Sequence, residues 1–76
     1  MTRTEARQTA RDATVDLMPR PETATPTSYE GGWTVHMHTG GQLDAIVNLP
    51  DNGPAWIVAM FATQDGNRTL GAFAAA

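Results

Sequence analysis

The sequence predicts an α+β domain in which a short N-terminal helix precedes a four-stranded antiparallel β-meander. Three observations favour this fold class. Alanine recurs at helical spacing near the N-terminus, residues 29–49 alternate between apolar and polar side chains, and an apolar run at residues 55–63 precedes the turn-forming pair Asp65-Gly66. With 76 residues, the chain is expected to form one small domain.

Residues 1–17 are predicted to contain the helix. Thr2 followed by Glu5 fits a capping box, in which each residue binds the backbone N–H of the other. The apolar positions at helical spacing form one narrow face, composed of Ala6, Ala10, Ala13 and Leu17. Because this face consists mostly of methyl groups, the helix needs the sheet or a partner for stability.

Residues 18–28 are predicted to be an extended, polar linker. The segment contains three prolines and three threonines, a composition that favours polyproline II conformation over a packed element. The remaining residues, 29–76, are expected to form the sheet, so the linker would carry the helix to the face that needs cover.

The first two predicted strands are residues 29–39 and 42–49, joined by a two-residue turn at Gly40-Gly41. Each strand alternates, so successive side chains lie on opposite faces of the sheet. One face receives Trp33, Val35, Met37, Leu43, Ala45, Val47 and Leu49. The other face receives Thr34, His36, His38, Asp44, Ile46 and Asn48.

Residues 55–63 are predicted to be a central strand, because they are apolar on both faces. Residues 68–75 are predicted to be an edge strand, since Gly71 and several alanines weaken the pattern. The alternative is a helix over residues 54–65, with Pro54 at its first position and Gly66 just past its end. The strand is favoured because Trp, Ile, Val, Phe and Thr dominate this run.

One thin helix can cover only one face of such a sheet. We assign the covered face to Trp33, Leu43, Val47, Trp56 and Val58, which leaves apolar residues uncovered on the opposite face. Uncovered apolar patches often mark interfaces, and a small, uncharged edge strand is a template for strand addition. The residues predicted to bind a partner are Ile46, Ile57, Phe61, Phe73, Asp44 and Asp51.

The charge distribution divides the chain into two parts. The formal net charge is −3, lysine is absent, and four of the five arginines lie within residues 1–20. The acidic remainder disfavours nucleic acid as a partner and favours basic protein surfaces. Arg3, Arg7 and Arg11 form a stripe that could follow a phosphate backbone, but neighbouring acidic residues favour a solvated helix face: Glu5, Asp12 and Asp16.

The candidates for chemistry are few. His36 and His38 share one strand face and, with Asp44, could hold a metal ion, although catalytic zinc sites use three protein ligands. The alternatives are solvent-facing histidines or a pH sensor. Cysteine is absent, which excludes disulfides and thiolate ligands, and Ser28 is the only serine. We therefore predict a non-enzymatic protein without a cofactor.

The function predicted from these features is protein binding. No apolar run approaches the length of a membrane span and no secretory signal is evident, so a cytoplasmic setting without membrane contact is expected. Small domains without disulfides or metals often gain buried area from a second chain, which predicts a homodimer or a larger partner protein.

In size, acidity and lack of cysteine, the chain resembles phage-encoded inhibitors of bacterial defence systems, including anti-CRISPR proteins. This likeness of composition implies a small, non-catalytic inhibitor or adaptor that acts by occluding a partner's surface. Two other functions stay open at this point. One is a structural homo-oligomer, and the other is a metal-binding domain that uses His36 and His38.

Overall fold

The computed structural model describes residues 1–62 and 68–74, with side chains described for residues 1–58. One helix and five strands follow each other along the chain: α1 (Arg3–Thr14), β1 (Thr23–Tyr29), β2 (Gly32–Thr39), β3 (Gln42–Pro50), β4 (Trp56–Ala62) and β5 (Arg68–Ala74). The strands form a single sheet in sequence order, and all neighbouring pairs are antiparallel. The predicted fold class is therefore confirmed.

The four predicted strands correspond to β2–β5, and the predicted linker supplies one more. Residues 23–28 belong to β1, which pairs with β2 from Thr23↔His38 to Tyr29↔Gly32. The linker prediction was wrong for these residues because their alternating threonines suit a strand. Proline is tolerated in this strand since β1 is at the edge of the sheet.

Residues 56–62 are extended in β4, so the alternative helix over residues 54–65 was wrong. The predicted turn at Asp65-Gly66 lies outside the described residues. The turn at Gly40-Gly41 is confirmed: both glycines have positive φ angles, 57° and 78°, as a two-residue turn between antiparallel strands requires.

The predicted capping box begins the helix. The Thr2 N–H donates to Glu5 Oε1 at 3.0 Å, and the Glu5 N–H donates to Thr2 Oγ1 at 3.1 Å. The helix ends at Thr14, earlier than the predicted Leu17. The N–H groups of Leu17 and Met18 both donate to the Thr14 carbonyl, which turns the chain back toward the sheet.

The helix packs on one face of the sheet, which we call the covered face. Ala6 and Ala10 are fully buried there, and their small side chains let the helix lie close to the strands. The strand residues beneath are buried as well: Ala24, Val35, Met37, Ala45, Val47, Leu49 and Ile57. Thr14 completes the contact, because its hydroxyl donates to the Ala10 carbonyl and lies 3.7 Å from Met37 Sδ.

Two arginines fasten the helix to the segment that enters and forms β1. Arg7 Nε donates to the Ala24 carbonyl at 3.0 Å, and Arg11 Nη1 donates to the Pro21 carbonyl at 3.1 Å. The prediction of a solvated arginine stripe therefore holds only for Arg3, which is exposed. Periodicity located the stripe correctly, but it could not reveal that β1 would place backbone carbonyls within reach.

The pairing of β3 with β4 corrects the predicted faces of β4. Val47 pairs with Ile57, and Asn48 pairs with Trp56. Ile57 therefore lies on the covered face, where it is 1% exposed, while Trp56 and Val58 lie on the opposite face. Alternation could not determine this phase because β4 is apolar at every position, and a shift by one residue exchanges the two faces.

Candidate functional site

The face of the sheet opposite the helix is the candidate site, and we call it the open face. No helix or strand within residues 1–62 and 68–74 packs over it. Cross-strand pairing arranges its side chains in rows that run from β1 to β4. One row is Thr27, Thr34, Asn48 and Trp56, and the next is Thr25, His36, Ile46 and Val58.

Each row changes character from one side of the sheet to the other. At the β1 side the residues are threonines, and at the β4 side they are Trp56 and Val58. Ile46 and His36 lie between them, and both are half-buried. The open face is thus polar at one edge and apolar near its middle.

Trp56 is the largest apolar side chain on this face, and it is 50% exposed. It begins β4, directly after the loop formed by residues 51–55. Tryptophan with a half-exposed ring is prominent among residues that dominate binding energy in protein interfaces. Burying the rest of the indole against a partner would release ordered water and strengthen association.

Tyr29 supplies a second aromatic group at the end of β1, and it is 43% exposed. Its hydroxyl donates to Asn48 Oδ1 at 2.7 Å, so the ring reaches from β1 across β2 to β3. Tyr29 and Asn48 are thereby held in one orientation. Such preorganisation lowers the entropic cost of binding.

Gly32 makes the position of Tyr29 possible. A Cβ atom at Gly32 would lie 3.0 Å from the Tyr29 hydroxyl oxygen and only 2.3 Å from the Leu49 carbonyl oxygen. The second distance is a clash with backbone, which cannot move aside easily. β2 begins at Gly32, three residues after the predicted start of this strand at residue 29.

Acidic residues lie around the ends of the strands. Asp44 accepts a hydrogen bond from Thr39 Oγ1 at 2.5 Å, and Glu22 Oε2 accepts one from the Gly40 N–H at 3.2 Å. Asp51 follows β3, where its N–H donates to the Gly31 carbonyl at 2.7 Å. Residues 22–62 contain four acidic and no basic residues apart from histidine, which makes the segment that forms β1–β4 acidic.

The structure brings together some of the residues predicted to bind a partner. Ile46 lies in the open face, and Asp44 and Asp51 lie at its periphery. Ile57 does not, since it is buried beneath the helix. The side chains of Phe61 and Phe73 lie outside the described set, although the backbone of Phe73 pairs with Ile57.

The predicted binding residues did not include the two exposed aromatic residues of the open face, Tyr29 and Trp56, or Asn48, which binds Tyr29. The polar position of Asn48 was recognised, but its bond to Tyr29 depends on β1, which the sequence did not predict. Trp56 was assigned to the wrong face together with the rest of β4. Its position just after a loop rich in proline and glycine is the one signal that favours exposure.

The two histidines occupy different surroundings. His36 pairs with Thr25 and Ile46 in the open face, whereas His38 pairs with Thr23 and Leu43 beyond a shift of register after Met37. Within the described part of the chain, no three His, Cys, Asp or Glu side chains form a group that could hold a metal ion. The described residues thus add no third ligand to His36 and His38.

A cleft of about 230 Å³ lies on the opposite side of the molecule, between the end of α1 and the segment before β1. Its lining includes Arg11, Asp12, Val15, Met18, Arg20 and Pro21. Small-molecule sites usually measure about 300–1,000 Å³ and bury most of their ligand. The cleft is smaller than this range.

Comparison with known proteins identifies no relative, because no family model, curated protein or solved structure matches the chain. Within the described residues, no helix has the length and apolar character needed to cross a membrane.

Proposed function

We propose that this protein is a non-catalytic binding protein, which attaches to a larger protein through the open face and acts as an inhibitor or adaptor. The observation that carries this proposal is the exposure of Trp56, at 50%, on a sheet face that no described element covers. Occlusion of a partner's surface needs only such a face and no catalytic group. The same mode of action is implied by the resemblance to phage-encoded inhibitors.

The partner surface is defined by what would complement the open face. An apolar recess is needed for the indole of Trp56 and the side chains of Ile46 and Val58. Hydrogen-bonding groups are needed opposite Asn48 and the threonines. Basic side chains should surround the recess, since the segment that forms β1–β4 is acidic. The expected partner is therefore a protein with an apolar patch ringed by arginine or lysine.

The test compares three forms of the protein in affinity capture from a lysate of the source organism. The forms are the wild type, Trp56→Ser in the open face, and Val15→Ser on the helix side. Val15 is 68% exposed and therefore provides a matched loss of exposed apolar area. Captured proteins are quantified by mass spectrometry, and the affinity of the best candidate is then measured with purified components.

We expect one protein to be retained by the wild type and by Val15→Ser and to be lost with Trp56→Ser. In the purified system, Trp56→Ser should weaken binding roughly 30-fold or more, the effect of removing an interface hot spot of about 2 kcal/mol. Thermal unfolding of each variant verifies that the fold is intact. Equal capture by all three forms would contradict the proposal.

A further inference from the structure

The two edges of the sheet differ in their readiness to accept another strand. At the β1 edge, Pro26 has no N–H group to donate. Proline at an edge is tolerated where the missing N–H would point away from the sheet. Because the direction of the backbone groups repeats every two residues along a strand, the N–H and C=O groups of Ala24 also point away from the sheet. The Ala24 carbonyl accordingly accepts its bond from Arg7. This edge is blocked by covalent structure and by the helix.

The β5 edge has no such protection in its backbone. Residues Arg68–Ala74 pair with β4 along their full length, and no strand among the described residues pairs with their other side. In an antiparallel strand, about half of the residues direct both backbone groups away from the existing partner. The sequence RTLGAFA contains no proline, and its one charged residue is the first, Arg68. Proline and charge are the usual means of protecting an edge.

We propose that β5 pairs with the β5 strand of a second copy, in antiparallel orientation around a twofold axis at Gly71. Gly71 is the middle residue of Arg68–Ala74, so this register pairs the two strands over their whole length. Leu70 then lies opposite the partner's Ala72, and Thr69 lies opposite the partner's Phe73. Each cross-strand pair matches a larger residue with a smaller one, and glycine at the axis permits close backbone approach.

A second copy suits this edge because antiparallel pairing of two β5 strands keeps their only charged residues apart. Antiparallel pairing places the two Arg68 residues at opposite ends of the paired strands, roughly 20 Å apart at about 3.4 Å per residue. A parallel arrangement would place them side by side. Identical strands related by a twofold axis also form a closed pair, which is the commonest symmetry of soluble assemblies.

The result would be a ten-stranded sheet built from the five strands of each copy. A twofold axis perpendicular to the sheet keeps both helices on one side and both open faces on the other. The row that contains His36, Ile46 and Val58 continues to Ala72 and would pass into the second copy. This inference concerns an edge of the sheet and stands whether or not the open face binds a different protein.

The experiment uses position 72, where the charge of a new side chain decides association. In the proposed register the two copies of residue 72 are diagonal neighbours, about 7–8 Å apart on the same face. Ala72→Lys and Ala72→Glu are each studied alone and in an equimolar mixture. Thr27→Lys is the control, because it places the same charge on the same face at the β1 edge. Circular dichroism verifies that each variant is folded, and sedimentation velocity gives its mass.

We expect the wild type and Thr27→Lys to sediment at twice the 8.1 kDa protomer mass at micromolar concentration. For each position-72 variant alone, the dissociation constant of the dimer should be at least tenfold higher than for the wild type. The equimolar mixture should recover the dimer. A monomeric wild type at every concentration would overturn the proposal. So would a dimer that persists in both single variants, or one that the mixture fails to recover.

Discussion

The two faces of the sheet show how a small domain distributes limited apolar material. The covered face is fully apolar in its middle, where Val35, Met37 and Val47 are completely buried under the alanines of the helix. The open face carries threonine, histidine and asparagine around Ile46, Trp56 and Val58. Stability is thus concentrated on one face, which leaves the composition of the other face free for the partner binding proposed above.

The largest difference between the faces should appear in the loss of stability when a large side chain on each face is shortened to alanine. Met37→Ala removes a completely buried side chain and should lower the free energy of unfolding by about 2–5 kcal/mol. Ile46→Ala removes a half-buried one and should cost about 1 kcal/mol or less. Urea denaturation monitored by circular dichroism measures both.

A domain of this size has a small total stability, so Met37→Ala could unfold completely. Met37→Leu keeps most of the volume and should cost less than about 1.5 kcal/mol, which provides a folded reference. If Ile46→Ala proved as destabilising as Met37→Ala, the distinction between a covered and an open face would be wrong.

The attachment of the helix should show an intermediate effect. Arg7→Met keeps an apolar stem of similar length but removes the bond from Nε to the Ala24 carbonyl, with an expected loss of about 1–2 kcal/mol. Arg3→Met is the control, since Arg3 is exposed, and its effect should stay within about 0.5 kcal/mol. Equal losses in the two variants would show that the helix is not held by Arg7. Thermal unfolding compares them.

The smallest effect should come from the capping box and should depend on pH. The hydrogen bond from the Thr2 backbone N–H lowers the pKa of Glu5 below its ordinary value of 4.5. A carboxyl group with a lowered pKa stabilises the folded state above its unfolded pKa, and this contribution disappears as the pH falls through the folded pKa. Helix stability should therefore decline when the pH is lowered below 4.5.

Glu5→Gln isolates this contribution because the amide keeps the acceptor oxygen without the charge. The wild type should be slightly more stable than Glu5→Gln at neutral pH, and the two should converge in acid. Urea denaturation of both proteins at neutral pH and in acid measures the difference in their free energies of unfolding. A difference that is the same at both values would exclude a role for the Glu5 carboxylate.

The sequence predicted correctly those parts of the fold that are determined by residues close together in the chain. Thr2 and Glu5 form a cap within one helical turn, and Gly40-Gly41 forms a turn through its own backbone freedom. The alternation of β2 likewise follows from neighbouring residues. Each of these signals is contained in a short segment, so no knowledge of the rest of the chain was needed.

The parts that sequence did not predict depend on contacts between distant segments. Residues 23–28 read as a linker by composition and become part of a strand only because β2 offers them an edge. The phase of β4 depends on the pairing of Ile57 with Val47. As a consequence Trp56 and Tyr29, the two aromatic residues of the candidate site, could not be assigned from local pattern.

Pro26 has a consequence for the size of any assembly this sheet enters. A layer with two receptive borders can grow without limit, because every newcomer presents a fresh border to the next, as happens in fibrils. Here the pyrrolidine ring of Pro26 and the guanidinium of Arg7 close one border of each molecule. Pairing of two copies through the remaining border would leave no open border for a third copy. Growth would therefore stop at a dimer.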